Sequence, residues 1–127
     1  MTKQERIHAL RNDATVHYNC AQTMLIPYAS ECGISEEVAG KLGANFGGGM
    51  RMGSVCGAIT GALMVLGAMG YEEEESRRLL REFREKHGSV NCVDLLRNAH
   101  EHGIERKTHC DQMIDECAAF LESLISE

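Results

Sequence analysis

The sequence predicts an all-α protein: a compact single-domain bundle of about five to seven helices, with a glycine-rich loop before a buried central helix. Three observations carry that reading. The chain holds one proline, Pro27, in 127 residues, so little interrupts helices. No stretch alternates β-branched residues for long enough to make a strand, while apolar residues recur at helical spacing. With 127 residues, 43% of them hydrophobic and 25% charged, the chain can bury one core, and 1–127 reads as one domain.

The elements follow in order. A first helix covers Thr2 to about Asp13, with Ile7 and Leu10 on its apolar side. A second starts at Asn19, a good N-cap, and runs to about Cys32 before Gly33, with a kink or break at Pro27. Ser35 caps a short helix carrying Val38 and Leu42, and Glu36 and Glu37 suit the positive end of its dipole. Then comes "GANFGGGMRMG", Gly43 to Gly53, in which five of eleven residues are glycine. This reads as a loop allowing close backbone approach. It lacks the G-x-x-x-x-G-K-[ST] pattern of a phosphate loop. Met50 and Met52 within it are expected to line the core.

The central helix is expected from Ser54 to Ala68, with Val55, Ile59, Leu63 and Leu66 at helical spacing. Gly57, Ala58, Gly61 and Ala62 give it small faces. These let a neighbour come close, either within one subunit or across a homodimer. The uncharged run from Met52 to Gly70 is 19 residues long, near the spanning length of a membrane helix. Its glycines and polar residues make a buried helix the better reading, so no membrane insertion is expected. A further helix covers Glu72 to His87, acidic first and basic later, with Leu79, Leu80 and Phe83 as its core stripe. A short helix starts near Cys92, "HEHGIERK" is a connection, and a last helix runs from Thr108 to Ile125. On that last helix Cys110, Met113, Ile114, Cys117, Leu121 and Leu124 share a stripe. "THCD" resembles a capping box at its start.

The net charge of −6, with no basic block, argues against a nucleic-acid surface. The N-terminus, "MTKQERIHALRND", is charged throughout and unlike a secretory signal, which leads to the expectation of a cytoplasmic protein.

Six cysteines are many for such a setting: Cys20, Cys32, Cys56, Cys92, Cys110 and Cys117. None form a C-x-x-C pair, so zinc-ribbon and thioredoxin motifs are absent. Any site must be assembled in three dimensions. Four of them share a placement. Asn19 precedes Cys20, Ser54 lies two before Cys56, Asn91 precedes Cys92, and Thr108 lies two before Cys110. Each is thereby expected in the first turn of a helix, where free N–H groups and the dipole favour thiolate. Cys32 and Cys117 read as space-filling. His17 and His109 are near enough in sequence to tune a site.

With these residues in hand, the chain resembles the C_GCAxxG_C_C family of small redox-active proteins. Its members carry a cysteine, a C-G-A-x-x-G signature and two further cysteines in that order. "YNCAQTML" supplies Cys20, "SVCGAITG" supplies Cys56 with Gly57, Ala58 and Gly61, "KHGSVNCVDLL" supplies Cys92, and "KTHCDQMIDECAAFL" supplies Cys110. Cys32 and Cys117 fall outside the pattern. The resemblance implies a redox role for the four, with an unidentified redox partner.

Three readings stay open at this stage. In the first, the four cysteines converge near the glycine loop and perform thiol–disulfide exchange or electron transfer. Cys56 is the expected attacking thiolate and another of the four resolves the mixed disulfide. In the second, Cys20, Cys56, Cys92 and Cys110 hold zinc or an iron–sulfur cluster. In the third, the cysteines only pack.

Overall fold

The computed structural model describes residues 1–127. Seven α-helices follow one another: α1 (Lys3–Arg11), α2 (Cys20–Leu25), α3 (Glu36–Gly43), α4 (Gly57–Ala68), α5 (Glu73–His87), α6 (Cys92–Glu101) and α7 (Arg106–Ile125). There is no strand; one isolated antiparallel bridge pairs Val55 with Asn91. The all-α expectation holds.

Local signals set most helix starts. Thr2 and Glu5 form a reciprocal capping box at α1, and Asn19 and Gln22 form another at α2. The Ser35 hydroxyl accepts the Val38 N–H at α3. After Leu25 the chain tightens into a 3₁₀ turn, Ile26–Tyr28, with Pro27 in it. Pro27 thus ends α2 well before Cys32, because its ring supplies no N–H for another α-helical bond.

The glycine segment does something less ordinary. Gly48, Gly49, Met50 and Arg51 have φ of 62°, 66°, 59° and 62°, forming one turn of left-handed coil. The two non-glycine residues there each cost about 1–2 kcal/mol. Ser54 N–H closes the turn onto the Gly49 carbonyl at 2.8 Å. The expectation that Met50 and Met52 line the core is wrong: they are 42% and 74% exposed, because the left-handed turn carries them outward.

Gly49 is required twice over. Besides its φ, a Cβ placed on it would lie 2.4 Å from the Ser54 carbonyl oxygen and 2.8 Å from Cys92 Cβ. After this turn the chain forms the Val55–Asn91 bridge. Cys56 N–H donates to the Val90 carbonyl at 2.8 Å, and Cys92 N–H donates to the Ser54 carbonyl at 2.6 Å. These bonds hold residues 54–56 extended, so α4 begins at Gly57 rather than Ser54.

α4 is the hub. Ala58, Ile59, Ala62 and Val65 are completely buried, and full burial of a side chain such as Ile59 contributes about 1.5–3 kcal/mol. Its most extensive contact is with α2. A Cβ on Gly61 would lie 2.6 Å from Met24 Cβ, and one on Gly57 would lie 3.1 Å from Cys20 Cβ. The small face is therefore taken up inside the subunit, and it sets the separation of the two helix starts that carry Cys20 and Cys56. No helix is long and apolar enough to cross a membrane.

α7 closes the bundle with Ile114, Cys117 and Leu121 fully buried. Glu116 receives Lys86 and His87 from α5, and Leu79 and Phe83 of α5 join the core. Two expected boundaries move. α6 continues through Glu101 and α7 begins at Arg106, so only the turn around Gly103, φ 71°, connects them. Glu105 stands at the N-cap of α7 and no side chain caps it; Thr108 lies inside the helix.

Candidate functional site

The starts of α2, α4 and α6 and the second turn of α7 meet at one end of the bundle. They enclose a cavity of about 510 Å³, and Cys20, Cys56, Cys92 and Cys110 all line it, beside Gly47 and Gly48. The expected convergence of the four near the glycine loop is what the fold produces. Cys32 and Cys117 are elsewhere: Cys32 is half-buried beyond the Pro27 turn and Cys117 is in the core. All six are free thiols.

The placements are not alike. Cys20 and Cys92 are the first residues of α2 and α6, and Cys56 occupies the N-cap of α4. Cys110 is the fifth residue of α7. Its expected first-turn position is thus corrected, because α7 starts two residues before Thr108.

Electrostatics then distinguish the four. Cys56 receives the Ala58 and Ile59 amides, yet burial outweighs them and pushes its thiol up to about 11. Cys92 is likewise raised, chiefly by burial, against the pull of Arg106. Cys110 alone is lowered, to about 7. The first cause is a hydrogen bond from Cys20; the Arg11 and Arg106 guanidinium charges add to it, while partial burial and Asp111 oppose it. Cys20 is the other half of that arrangement. Its thiol is raised far above the ordinary range by the bond to Cys110, by burial, and by charge on Cys110 and Cys56. The two thiols titrate as a pair, and Arg106, which acts on Cys110 and not on Cys20, favours the charge on Cys110.

Arg11 and Arg106 are functional-site residues the sequence did not single out. Arg11 ends α1; its side chain is only 7% exposed, with Nε on Asp111 at 2.6 Å. A second nitrogen donates to the Tyr18 carbonyl at 3.0 Å. It is held rigidly one helix away from Cys20. Arg106 opens α7 and reaches toward the glycine loop: a Cβ on Gly48 would lie 3.9 Å from its terminal nitrogen. Lone arginines in "HALRND" and "GIERK" carry no motif: the packing of α1 against α7 reveals Arg11, and the earlier start of α7 puts Arg106 one turn before Cys110. His17 and His109 also line the cavity. Burial and the neighbouring His87 hold His109 below its ordinary range, so it favours the neutral form.

No group of three or more histidines, cysteines, aspartates or glutamates is arranged to hold a metal ion. The four thiols share a cavity without forming a ligand set, so the zinc or iron–sulfur reading gains no support from their placement.

Comparison with known proteins agrees with the cysteine order. The family described as "Putative redox-active protein (C_GCAxxG_C_C)" matches residues 18–124. The chain belongs to this C_GCAxxG_C_C family. In this member the central motif reads Cys56-Gly57-Ala58-Ile59-Thr60-Gly61, and its two glycines are the ones pressed against α2. The matched segment takes in every helix except α1, which supplies Arg11. No curated protein and no solved structure matches the chain.

Proposed function

We propose that this C_GCAxxG_C_C protein performs thiol–disulfide exchange, with Cys110 as the attacking thiolate and Cys20 as the resolving thiol. The observation that carries the reading is the placement of Cys20 and Cys110 in one cavity lined also by Arg11 and Arg106, whose charges favour thiolate on Cys110. A thiol lowered toward neutral pH gains thiolate while keeping more nucleophilicity than a strongly acidic one.

The Cys110 thiolate attacks one sulfur of a substrate disulfide. A Cys110–substrate bond forms, the substrate S–S bond breaks, and the departing half leaves as thiolate. Cys110 is then uncharged, so the hydrogen bond and the charge that held the proton on Cys20 are gone. Cys20 gives its proton to the departing substrate thiolate and attacks the Cys110 sulfur. This forms a Cys20–Cys110 disulfide and releases the second substrate thiolate. Two electrons pass from the protein to the substrate, and a dithiol reductant restores the starting state.

Cys56 and Cys92 have a supporting place in this reading. Their raised thiols remain neutral at pH 7, so they line the cavity without adding negative charge beside Cys110. They are also available as a second dithiol, their backbones being tied by the bonds around Val55 and Asn91.

The test is a disulfide map. The reduced protein is oxidised by one equivalent of a small disulfide, alkylated, digested and analysed without reduction. A Cys20–Cys110 linkage is the expected product. Retention of all six thiols would overturn the exchange reading, and a first linkage confined to Cys56–Cys92 would overturn the roles given to Cys110 and Cys20. Metal content measured after anaerobic purification decides the alternative use of the four thiols.

A further inference from the structure

We infer that the substrate of this cavity is a small disulfide bearing a carboxylate, and that Arg106 is the residue that binds the carboxylate. The inference rests on the thiol–disulfide reading above and names its substrate class.

Size is the first argument. A cavity of about 510 Å³ falls within the range of small-molecule sites. Its thiols lie within the helical framework at the inner wall, where Cys56 is 6% exposed. A disulfide small enough to enter can meet them.

Charge is the second argument. The chain carries −6 overall, yet the cavity wall holds Arg11, Arg106 and Lys107 against one acid, Asp13. Asp13 is engaged in its own turn: its Oδ1 accepts the Thr15 N–H, the Thr15 hydroxyl and the Val16 N–H at 2.8, 2.9 and 2.9 Å. Of the three cations, two are also engaged. Arg11 Nε pairs with Asp111 at 2.6 Å, and Lys107 Nζ pairs with Asp111 at 3.0 Å. Arg106 alone has no carboxylate partner. It lines the same cavity as Cys92 and Cys110 and reaches the glycine loop, its terminal nitrogen 3.9 Å from a Cβ placed on Gly48. A planar guanidinium with its donors free, beside a nucleophilic sulfur, matches a carboxylate bidentately. Bound there, the carboxylate also anchors the substrate while its S–S bond meets Cys110.

The experiment compares three small disulfides as oxidants of the fully reduced protein under single-turnover conditions: 3,3′-dithiodipropionate (dianionic), bis(2-hydroxyethyl) disulfide (neutral) and cystamine (dicationic). Each rate is divided by that of a simple free thiol with the same probe, which removes intrinsic reactivity. The expected result is a normalised preference for the dianion over the neutral probe of about tenfold or more. Arg106→Gln is expected to collapse that preference to about twofold or less, and Arg106→Lys to restore part of it. The readout is the ratio between probes, so the effect of Arg106 on Cys110 acidity cancels. Salt should erode the dianion preference more than the neutral rate.

Equal normalised rates for dianion and neutral probe would overturn the inference while leaving exchange intact. So would a preference for cystamine, or a dianion preference that survives in Arg106→Gln. If none of the three oxidises the protein, the exchange reading itself falls and takes this inference with it. Should Arg106→Gln fail to fold, the wild-type ratio and Arg106→Lys still decide the matter.

Discussion

Cys110 and Cys117 lie two turns apart on the same helix, on the same apolar stripe, and their surroundings give them opposite characters. Cys110 faces a cavity that contains Arg11, Arg106 and the Cys20 thiol, and its own thiol is lowered to about 7. Cys117 is fully buried, and desolvation, with smaller effects from Cys56 and Glu116, raises its thiol well above the ordinary value of 9.0. The lesson is that a cysteine's chemistry is not carried by its helix or its spacing. It is set by which donors and charges from other elements come within a few ångströms.

The largest expected effect breaks the comparison at its reactive end. Cys110→Ser should reduce disulfide exchange to background, since the attacking sulfur is gone. Cys117→Ala should leave exchange near wild type and cost about 1–2 kcal/mol through the void it leaves in the core. Exchange assays and denaturant titrations on the two variants read this directly. A Cys117→Ala protein that folds but does not exchange would erase the distinction.

The next effect concerns the framework that gives Cys110 its neighbours. Gly49→Ala combines a left-handed φ with contact against the Ser54 carbonyl and Cys92, and should destabilise by about 2–4 kcal/mol. Gly67→Ala is the control. It lies in α4, with nothing within 4 Å of the added carbon, and should stabilise by up to about 1 kcal/mol. Chemical denaturation separates the two by sign.

A finer test addresses the cause of the lowered thiol. The pH midpoint of Cys110 alkylation should be about 7 in the wild-type protein, with the rate falling about tenfold per pH unit below it. Cys20→Ala removes the hydrogen-bond donor, so the midpoint should rise. Cys20→Ser keeps a donor and should rise less. An unchanged midpoint in Cys20→Ala would assign the lowering to the arginines alone.

The smallest effect is in stability against pH, under reducing conditions. The lowered Cys110 contributes stability that is present above the unfolded value of 9.0 and lost as pH falls through about 7. The raised Cys20, Cys56 and Cys117 contribute stability that is present below 9.0 and lost as pH rises beyond it. Stability from these groups should therefore climb between pH 7 and 9 and decline above. Denaturant midpoints at pH 7, 8.5 and 10 check it, and removing Cys110 should flatten the rising part.

Much of this was legible in the residues. The capping signals at Asn19 and Ser35 and the apolar periodicity of α4, α5 and α7 are local, so the helices could be placed from them. The four-cysteine order was legible too, together with the exclusion of Cys32 and Cys117 from the cavity. The start of α7 was misplaced because "THCD" offers a better cap than Glu105, and contacts of α7 with the rest of the bundle override that preference. Met50 and Met52 were misplaced because a left-handed turn has no hydrophobic period to read. The raised thiol of Cys56 was hidden for a similar reason: its helix-terminal amides are visible in sequence, whereas the burial that outweighs them is not.

By itself, then, the sequence determined an all-helical chain, its membership of a redox-active cysteine family, and the four thiols worth watching. Those properties depend on spacing, caps and order, which are local. Only the tertiary structure decided which charges and donors surround each sulfur, with Arg11, Cys20 and Arg106 all acting on Cys110. Arg106 lies one turn before Cys110 on α7, whereas Arg11 and Cys20 become its neighbours only when α1 and α2 pack with α7 around the glycine face of α4.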